Sequence, residues 1–194
     1  MMKPIFEKYP KNFRPRRGLN WGSLGLLYGT YYMCRYNFRF AVPGLQEEYG
    51  FDIESVSWIF AIWSVAYGTG QLINGLFTDS LGGKKGMLVG AVGTIIINFI
   101  FGFSPWVSGF STFAMLALLN GYFQSFGAPG MVKINAAWFQ KRERGSFAGI
   151  FGGMIQLGQI SISRLAPWIL NYGIMIGGIV LAESGQWRYL FRLP

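Results

Sequence analysis

The sequence predicts an all-α membrane protein, and three observations lead to this prediction. Of the 194 residues, 52% are hydrophobic and only 13% are charged, about half the charged share of a typical soluble domain. The apolar residues form long blocks, such as 87–103 and 112–128, whose length matches the hydrocarbon core of a bilayer. Lipid-exposed backbone must satisfy its own hydrogen bonds, so these blocks are expected to be helices.

Five membrane spans are predicted, at about residues 19–44, 54–78, 86–104, 111–139 and 145–171. They follow a basic cytoplasmic segment, 1–18, and form one transmembrane bundle over residues 19–171. Asp52 or Ser55 is suited to cap the N-terminus of the second helix. The remaining residues, 172–194, are predicted as an outer-side loop, or an extension of the fifth helix, followed by the start of a sixth helix.

Glycines are frequent inside the second and fifth spans. In water each would cost about 1 kcal/mol relative to alanine, whereas between membrane helices small residues allow the backbones to approach closely. The pattern therefore predicts tight helix packing at these positions: Gly68, Gly70, Gly75, Gly149, Gly152, Gly153 and Gly158.

The net charge of +9 follows a pattern of membrane topology. Basic residues are concentrated in residues 1–18 and recur in two later connections, whereas the connections 44–54 and 104–111 contain none. Basic residues in alternate connections are expected from the positive-inside rule. We therefore predict a cytoplasmic N-terminus, with the lipid bilayer as a partner and no nucleic acid. The membrane is predicted to be a bacterial inner (plasma) membrane.

The composition offers little material for enzyme chemistry. The chain has no histidine and a single cysteine, Cys34, so the commonest general base and metal ligand is missing and a disulfide framework is excluded. No close pair of carboxylates lies within an apolar block. We predict that the protein is not an enzyme and that it needs neither a metal nor an organic cofactor.

The loop after the second span, GLFTDSLGGKK, contains a recognisable motif. Its glycines suit close helix approach and a tight turn, its lysines suit the headgroup region, and its aspartate can face a neighbouring helix N-terminus. The loop closely resembles the G-x-x-x-D-x-x-G-x-K/R-K/R loop of the major facilitator superfamily. The resemblance implies a conformational or gating loop with these residues: Gly75, Asp79, Gly82, Lys84 and Lys85.

The first span, YGTYYMCRYNFRFAVPGL, resembles the first helix of the organophosphate:phosphate antiporter family, which includes the glycerol-3-phosphate and hexose-6-phosphate transporters. The stretches AYGTGQLINGLFTD and NGYFQSFGAPGMVKINAAWFQKRERG are similar to that family at corresponding places, so the resemblance covers roughly residues 20–170. It implies the N-terminal six-helix half of a major facilitator superfamily fold, with five full spans and the start of a sixth. The C-terminal half is then a missing partner. A fragment of a longer protein is the favoured interpretation, and assembly with another chain is the alternative.

Arg35 is the strongest candidate for substrate binding. A charge at mid-bilayer costs about 2.5–3.5 kcal/mol and almost always faces a bundle interior or a cavity. Arg35 lies about 24 Å along the first helix, near the membrane midplane, where a guanidinium fork matches phosphate oxygens. Tyr28 and Tyr32 can share its helix face. The resemblance implies that Arg35 is the phosphate-binding arginine of the N-terminal half, with Tyr32 beside it.

Other polar residues define how this site departs from the family. Tyr67 matches a family pocket tyrosine, whereas Gln71 stands where well-known members have a lysine, so one positive charge is lost. Arg39, one turn beyond Arg35, either adds a phosphate contact or pairs with an acidic residue of the outer loop, Glu47 or Glu48. Two other basic residues are left with alternatives: Lys133 is structural or gating, and Arg164 pairs with Glu183 or extends a basic cavity with Arg39.

The resemblance implies a secondary transporter that exchanges an organophosphate, of the sugar phosphate or glycerol phosphate class, for inorganic phosphate by alternating access. Its substrates are then small anions. One alternative is a membrane-embedded sugar-phosphate sensor without net transport, with which Gln71 is compatible. The other is a carrier of another organic anion, such as a carboxylate.

Overall fold

The computed structural model describes residues 13–176 and 179–192. Its helices are α1 (Phe13–Tyr49), α2 (Ile53–Leu81), α3 (Gly83–Phe103), α4 (Phe110–Gln124), α5 (Gly127–Trp138), α6 (Arg144–Tyr172) and α7 (Tyr189–Arg192). Each predicted span corresponds to a helix, except that the fourth is divided between α4 and α5. The predicted fold class is confirmed: five long helical spans are followed by a short sixth helix. Most of the predicted basic segment, including Lys3, Lys8 and Lys11, lies outside the described residues.

Two helix ends show how local sequence sets the boundaries. The Asp52 side chain accepts a hydrogen bond from the backbone N–H of Ser55 at 2.8 Å, so Asp52 is the cap of α2. Gly82, with φ of 86°, separates α2 from α3, a backbone conformation that favours glycine. α1 is longer than the predicted span at both ends and continues through Pro43.

The segment after α6 forms a hairpin that the sequence analysis did not predict. Strands β1 (Ile174–Ile176) and β2 (Ile179–Ala182) pair antiparallel. Gly173 ends α6 with φ of 68°, and a side chain there would lie 2.4 Å from the carbonyl oxygen of Ala182. The chain therefore folds back at this glycine, and the alternative of an extended fifth helix is wrong.

Two of the glycines singled out in the sequence lie at close helix contacts in the bundle. A Cβ on Gly158 of α6 would lie 2.3 Å from the backbone oxygen of Gly29 in α1, and one on Gly70 of α2 would lie 2.5 Å from the Ser125 hydroxyl. Close packing is therefore confirmed at Gly70 and Gly158. The prediction of close packing is wrong, within this chain, for five other glycines. A Cβ added at these positions would meet open space, because no described element covers them: Gly68, Gly75, Gly149, Gly152 and Gly153.

Buried amides connect helices inside the bundle. Asn37 of α1 is fully buried and donates to Asn98 Oδ1 of α3 at 2.8 Å and to the Leu190 carbonyl of α7 at 3.3 Å. Asn74 of α2 donates to the Ser125 hydroxyl at 2.7 Å. Interhelical hydrogen bonds in membrane proteins stabilise by only about 0.6 kcal/mol on average. The main contribution of these contacts is therefore to specify which helices pair.

The described helices differ in hydropathy. By length and composition alone, α2 and α3 are apolar enough to cross a membrane. α2 exposes large apolar side chains along much of its length, including Leu72 at 77% and Leu76 at 76%. Such a surface requires either lipid or further protein against it.

A polar cluster, here called the Arg188 cluster, ties the segment before α7 to the ends of α1 and α3. Arg188 donates to the Ser104 carbonyl at 3.2 Å, contacts the Glu48 carboxylate at 3.5 Å and also donates to the Tyr49 hydroxyl. The Trp187 indole donates to Glu48 Oε2 at 2.6 Å, and Trp187 is only 3% exposed. Glu48 therefore anchors the C-terminal segment to α1.

The Arg188 cluster should be sensitive to acid. Partial burial alone would raise the pKa of Glu48, but hydrogen bonding by Tyr49 and Trp187 and the Arg188 charge outweigh it and hold the pKa below its ordinary value of 4.5. A carboxyl whose pKa falls on folding stabilises the fold above its unfolded-state pKa and loses that contribution as the pH falls through the folded-state pKa. We expect the backbone amides of residues 187–192 to lose protection below pH 4.5, measured as exchange corrected for the intrinsic pH dependence of amide exchange.

A pair of charge-neutralising variants isolates this effect. Glu48→Gln should remove the acid dependence, whereas Glu47→Gln, which changes the exposed neighbouring carboxylate, should retain it. Hydrogen–deuterium exchange measured by mass spectrometry between pH 6 and pH 3 reports the difference. Equal behaviour of the two variants would contradict a stabilising role of Glu48.

Candidate anion-binding site

Arg35 lies in an aromatic cage between α1 and α2. Its guanidinium carbon lies 4.4 Å from the ring centroid of Tyr32, 4.3 Å from that of Tyr67 and 5.1 Å from that of Trp63. Cation–π contacts stabilise by about 0.5–1 kcal/mol at exposed sites and about 2 kcal/mol when desolvated. No ion pair involves Arg35 within residues 13–176 and 179–192, so the rings hold the cation without neutralising it.

A chain of side-chain amides reaches Arg35 from α4. Arg35 Nε donates to Gln124 Oε1 at 3.1 Å, and Gln124 Nε2 donates to Asn120 Oδ1 at 3.0 Å. Gln124 is fully buried and Asn120 is 6% exposed. Arg35 Nη2 is buried and has no hydrogen-bond partner among the described residues. The guanidinium is therefore fixed along its Nε edge, while at least one terminal nitrogen is unpaired.

The tyrosines of α1 form a ladder along the expected face. The Tyr28 and Tyr32 rings meet edge to face with centroids 5.5 Å apart, and Tyr32 stacks with Tyr36 at 6.2 Å. Tyr28 is only 3% exposed and packs against Gly127 of α5. The structure thus places Tyr32 against the guanidinium, as the spacing predicts, while Tyr28 packs against the Tyr32 ring.

Arg39 and Gln71 lie near the cage without being part of it. Arg39 is exposed, and its guanidinium carbon lies 5.3 Å from the Tyr36 ring centroid. Glu48 binds Arg188 and Trp187 instead, and the described part of the chain shows no ion pair for Arg39. Gln71 is half-buried, one turn beyond Tyr67 on α2.

Sequence reasoning missed three residues that contact or support Arg35: Trp63, Gln124 and Asn120. Trp63 lies one turn before Tyr67, and the two rings stack with centroids 5.1 Å apart. That i, i+4 spacing is a signal that could have found Trp63. Gln124 and Asn120 also lie one turn apart within the predicted fourth span, and polar residues within a span are functional candidates by default.

The end of α2 is tied to α5 by an ion pair. Lys133 Nζ donates to Asp79 Oδ1 at 2.6 Å and to the Asp79 carbonyl at 2.9 Å. Asp79 thus has a lysine of α5 as its partner, and the possibility that it faces a neighbouring helix N-terminus stays a prediction. Lys84 and Lys85 are exposed and follow Gly82, where the chain turns.

The bundle and the caged arginine define a helical membrane protein with an uncompensated cation among its spans, the kind of residue that marks a functional site. Residues 24–194 match the Major Facilitator Superfamily, and the chain belongs to that superfamily. Members of this superfamily are integral membrane transporters and not enzymes, which agrees with the sequence expectation.

The chain is similar to proteins named as phosphate-ester transporters and to a membrane sensor. It is 33% identical over 168 residues to the glycerol-3-phosphate transporter of Bacillus subtilis, and the aligned region covers 86% of this chain and 35% of the relative. It is 27% identical over 168 residues to the membrane sensor protein UhpC of Escherichia coli, and the aligned region covers 84% of this chain and 38% of the relative. A probable hexose phosphate transport protein of Chlamydia pneumoniae is 30% identical over 150 residues, covering 77% and 32%.

These matches confirm the resemblance to organophosphate transporters inferred from the sequence. The chain spans about a third of the length of the curated relatives it matches. The comparisons therefore show the superfamily to which this chain belongs. The activities of the relatives are those of longer proteins.

Proposed function

We propose that this chain is the N-terminal half of a carrier that exchanges an organophosphate for inorganic phosphate by alternating access. The substrate is of the sugar phosphate or glycerol phosphate class. The observation that carries the proposal is the caged guanidinium of Arg35, which lies among the spans without a carboxylate partner in the described chain. A phosphate dianion is the natural counter-charge for such a group.

Arg35 binds the phosphate, and Tyr32 and Tyr67 form the walls beside it. Arginine suits this role because its planar fork presents parallel N–H groups to two oxygens of one phosphate. The remaining residues of the site on this half are Gln71, Arg39 and Tyr28, of which Tyr28 packs against Tyr32. A cation from the C-terminal half would share the phosphate, and its charge would draw the two halves together, which is the closing step of alternating access.

The topology follows from the same reading of the charges. The N-terminus, the Asp79–Lys133 pair and the lysines at 84 and 85 lie on the cytoplasmic side of a bacterial inner membrane, as the positive-inside rule requires. Residues 75–85 act as the conformational loop, in which the Asp79–Lys133 contact at 2.6 Å must loosen when the halves rock. Residues 172–194 lie at the outer side and lead into the sixth span.

A membrane sensor is the second candidate. The likeness to UhpC supports it, as does the neutral Gln71 at a position where the carriers have a lysine. A sensor would bind the sugar phosphate at the same arginine and pass the signal to a partner without net transport.

The test is exchange of radiolabelled inorganic phosphate in proteoliposomes that contain the full reading frame of this chain. Unlabelled phosphate inside should drive uptake of label, and external glycerol 3-phosphate or glucose 6-phosphate should compete. Organophosphate binding without exchange would support the sensor instead. Exchange of a carboxylate that phosphate does not inhibit would support a carrier of another anion.

A further inference from the structure

The buried amide of Gln124 has no role in the activity proposed so far. It is fully buried in α4 and directs its oxygen at Arg35 Nε, because its own amide nitrogen is engaged by Asn120. A glutamine inside an apolar span is expensive unless both ends of the amide are bonded, and here both are. The arrangement is therefore a built contact between α4 and the guanidinium of α1.

The geometry points to Gln124 as the positioning residue of the phosphate site, an inference that rests on the proposed function. An arginine has five N–H donors, of which one is on Nε. With Nε engaged by Gln124 and rings of Tyr32, Tyr67 and Trp63 around the guanidinium, the fork of terminal nitrogens remains for a ligand. Nη2, buried and unpartnered among the described residues, belongs to that fork.

The side chain that accepts from Arg35 Nε is uncharged, and this explains why the position holds a glutamine. A carboxylate there would also accept from Nε, but it would neutralise the guanidinium and compete with the phosphate. An apolar side chain would leave Nε unpaired and the fork free to rotate between its ring contacts. A glutamine orients the cation and keeps its full charge for the anion. Asn120, in turn, sets the orientation of the Gln124 amide.

The experiment compares three variants of the full-length carrier in proteoliposomes. Gln124→Leu removes the acceptor, and we expect the KM for phosphate to rise about tenfold or more, the size expected for losing one hydrogen bond to a charged group. Asn98→Leu is the matched control, because Asn98 is also a buried amide that bonds to another helix but has no contact with Arg35. It should lower stability without raising that KM.

The third variant, Gln124→Glu, gives a readout that a merely structural role would not move. At neutral pH the new carboxylate neutralises Arg35, and the KM for phosphate should rise at least as much as in Gln124→Leu. As the pH falls the carboxyl becomes protonated and resembles the amide, so exchange relative to the wild-type protein should recover. Gln124→Leu should not recover. A Gln124→Leu KM no higher than that of the Asn98→Leu control, or a flat pH ratio in Gln124→Glu, would overturn the inference.

A chemical measurement separates this inference from the proposed function. Phenylglyoxal modification of Arg35, followed by mass spectrometry, should be faster in Gln124→Leu than in the wild-type protein, while that of the exposed Arg39 should be unchanged. If the wild-type carrier does not exchange phosphate but Arg35 is still released by Gln124→Leu, the activity is wrong and the positioning contact stands. If the modification rate does not change, the positioning contact is wrong, whatever is transported.

Discussion

Replacement of Arg35 by lysine is expected to reduce phosphate exchange by about 100-fold or more. Lysine keeps the positive charge but loses the planar fork, and its single ammonium cannot donate two parallel hydrogen bonds to one phosphate. It also cannot retain both the Gln124 contact at 3.1 Å and the ring contacts on Tyr32 and Tyr67. Two charge-assisted hydrogen bonds lost together account for a change of this size.

The measurement is the initial rate of labelled phosphate exchange in proteoliposomes of the full-length carrier, at matched amounts of reconstituted protein. Arg142→Lys is the control, since Arg142 is an exposed arginine in the connection before α6. It should exchange at the wild-type rate. If Arg35→Lys also exchanged at that rate, Arg35 would not be the phosphate-binding arginine.

Replacement of Gly158 by alanine is expected to destabilise the bundle by about 2–3 kcal/mol, at the upper end of overpacking substitutions. The added Cβ would lie 2.3 Å from the oxygen, 2.9 Å from the carbonyl carbon and 3.0 Å from the Cα of Gly29. All three atoms are backbone, so no side chain can rotate away. The two helices must separate or shift along their length, and this loosens the contact between α1 and α6 that positions the tyrosine ladder.

The matched control is on the same helix. Gly153→Ala adds the same methyl group at an exposed position where nothing lies within 4 Å. It should leave the 194-residue chain unchanged or stabilise it by up to about 1 kcal/mol, because alanine is the better helix former. Thermal or denaturant unfolding of the chain in detergent would report the two opposite signs. Destabilisation by both variants to the same extent would contradict close packing at Gly158.

The existence of the helical spans and the principal candidate for the site were accessible from the sequence because they depend on local properties. Apolar blocks of bilayer length predict helices wherever lipid surrounds them, and Asp52 caps α2 by a bond within its own segment. Arg35 stood out because an arginine in an apolar span is costly wherever the helix lies. Tyr32 followed from the helical repeat.

The partners of these residues were not accessible in the same way. Gln124 and Trp63 reach Arg35 from α4 and α2, and no rule of spacing specifies how those helices cross α1. The Asp79–Lys133 pair and the separation of packed from open glycines depend on the same crossings. The hairpin over 174–182 was missed because a short apolar segment has no periodicity that distinguishes a strand from a loop.

The sequence by itself determined that this chain is a helical membrane protein of five spans with a cation among them. Hydropathy, helix periodicity and the cost of an intramembrane charge act within single segments, so they can be read along the chain. Only the tertiary structure decided what holds that cation. An aromatic cage from two helices and a buried amide from a third enclose Arg35, because the packing of small residues sets which helix faces meet.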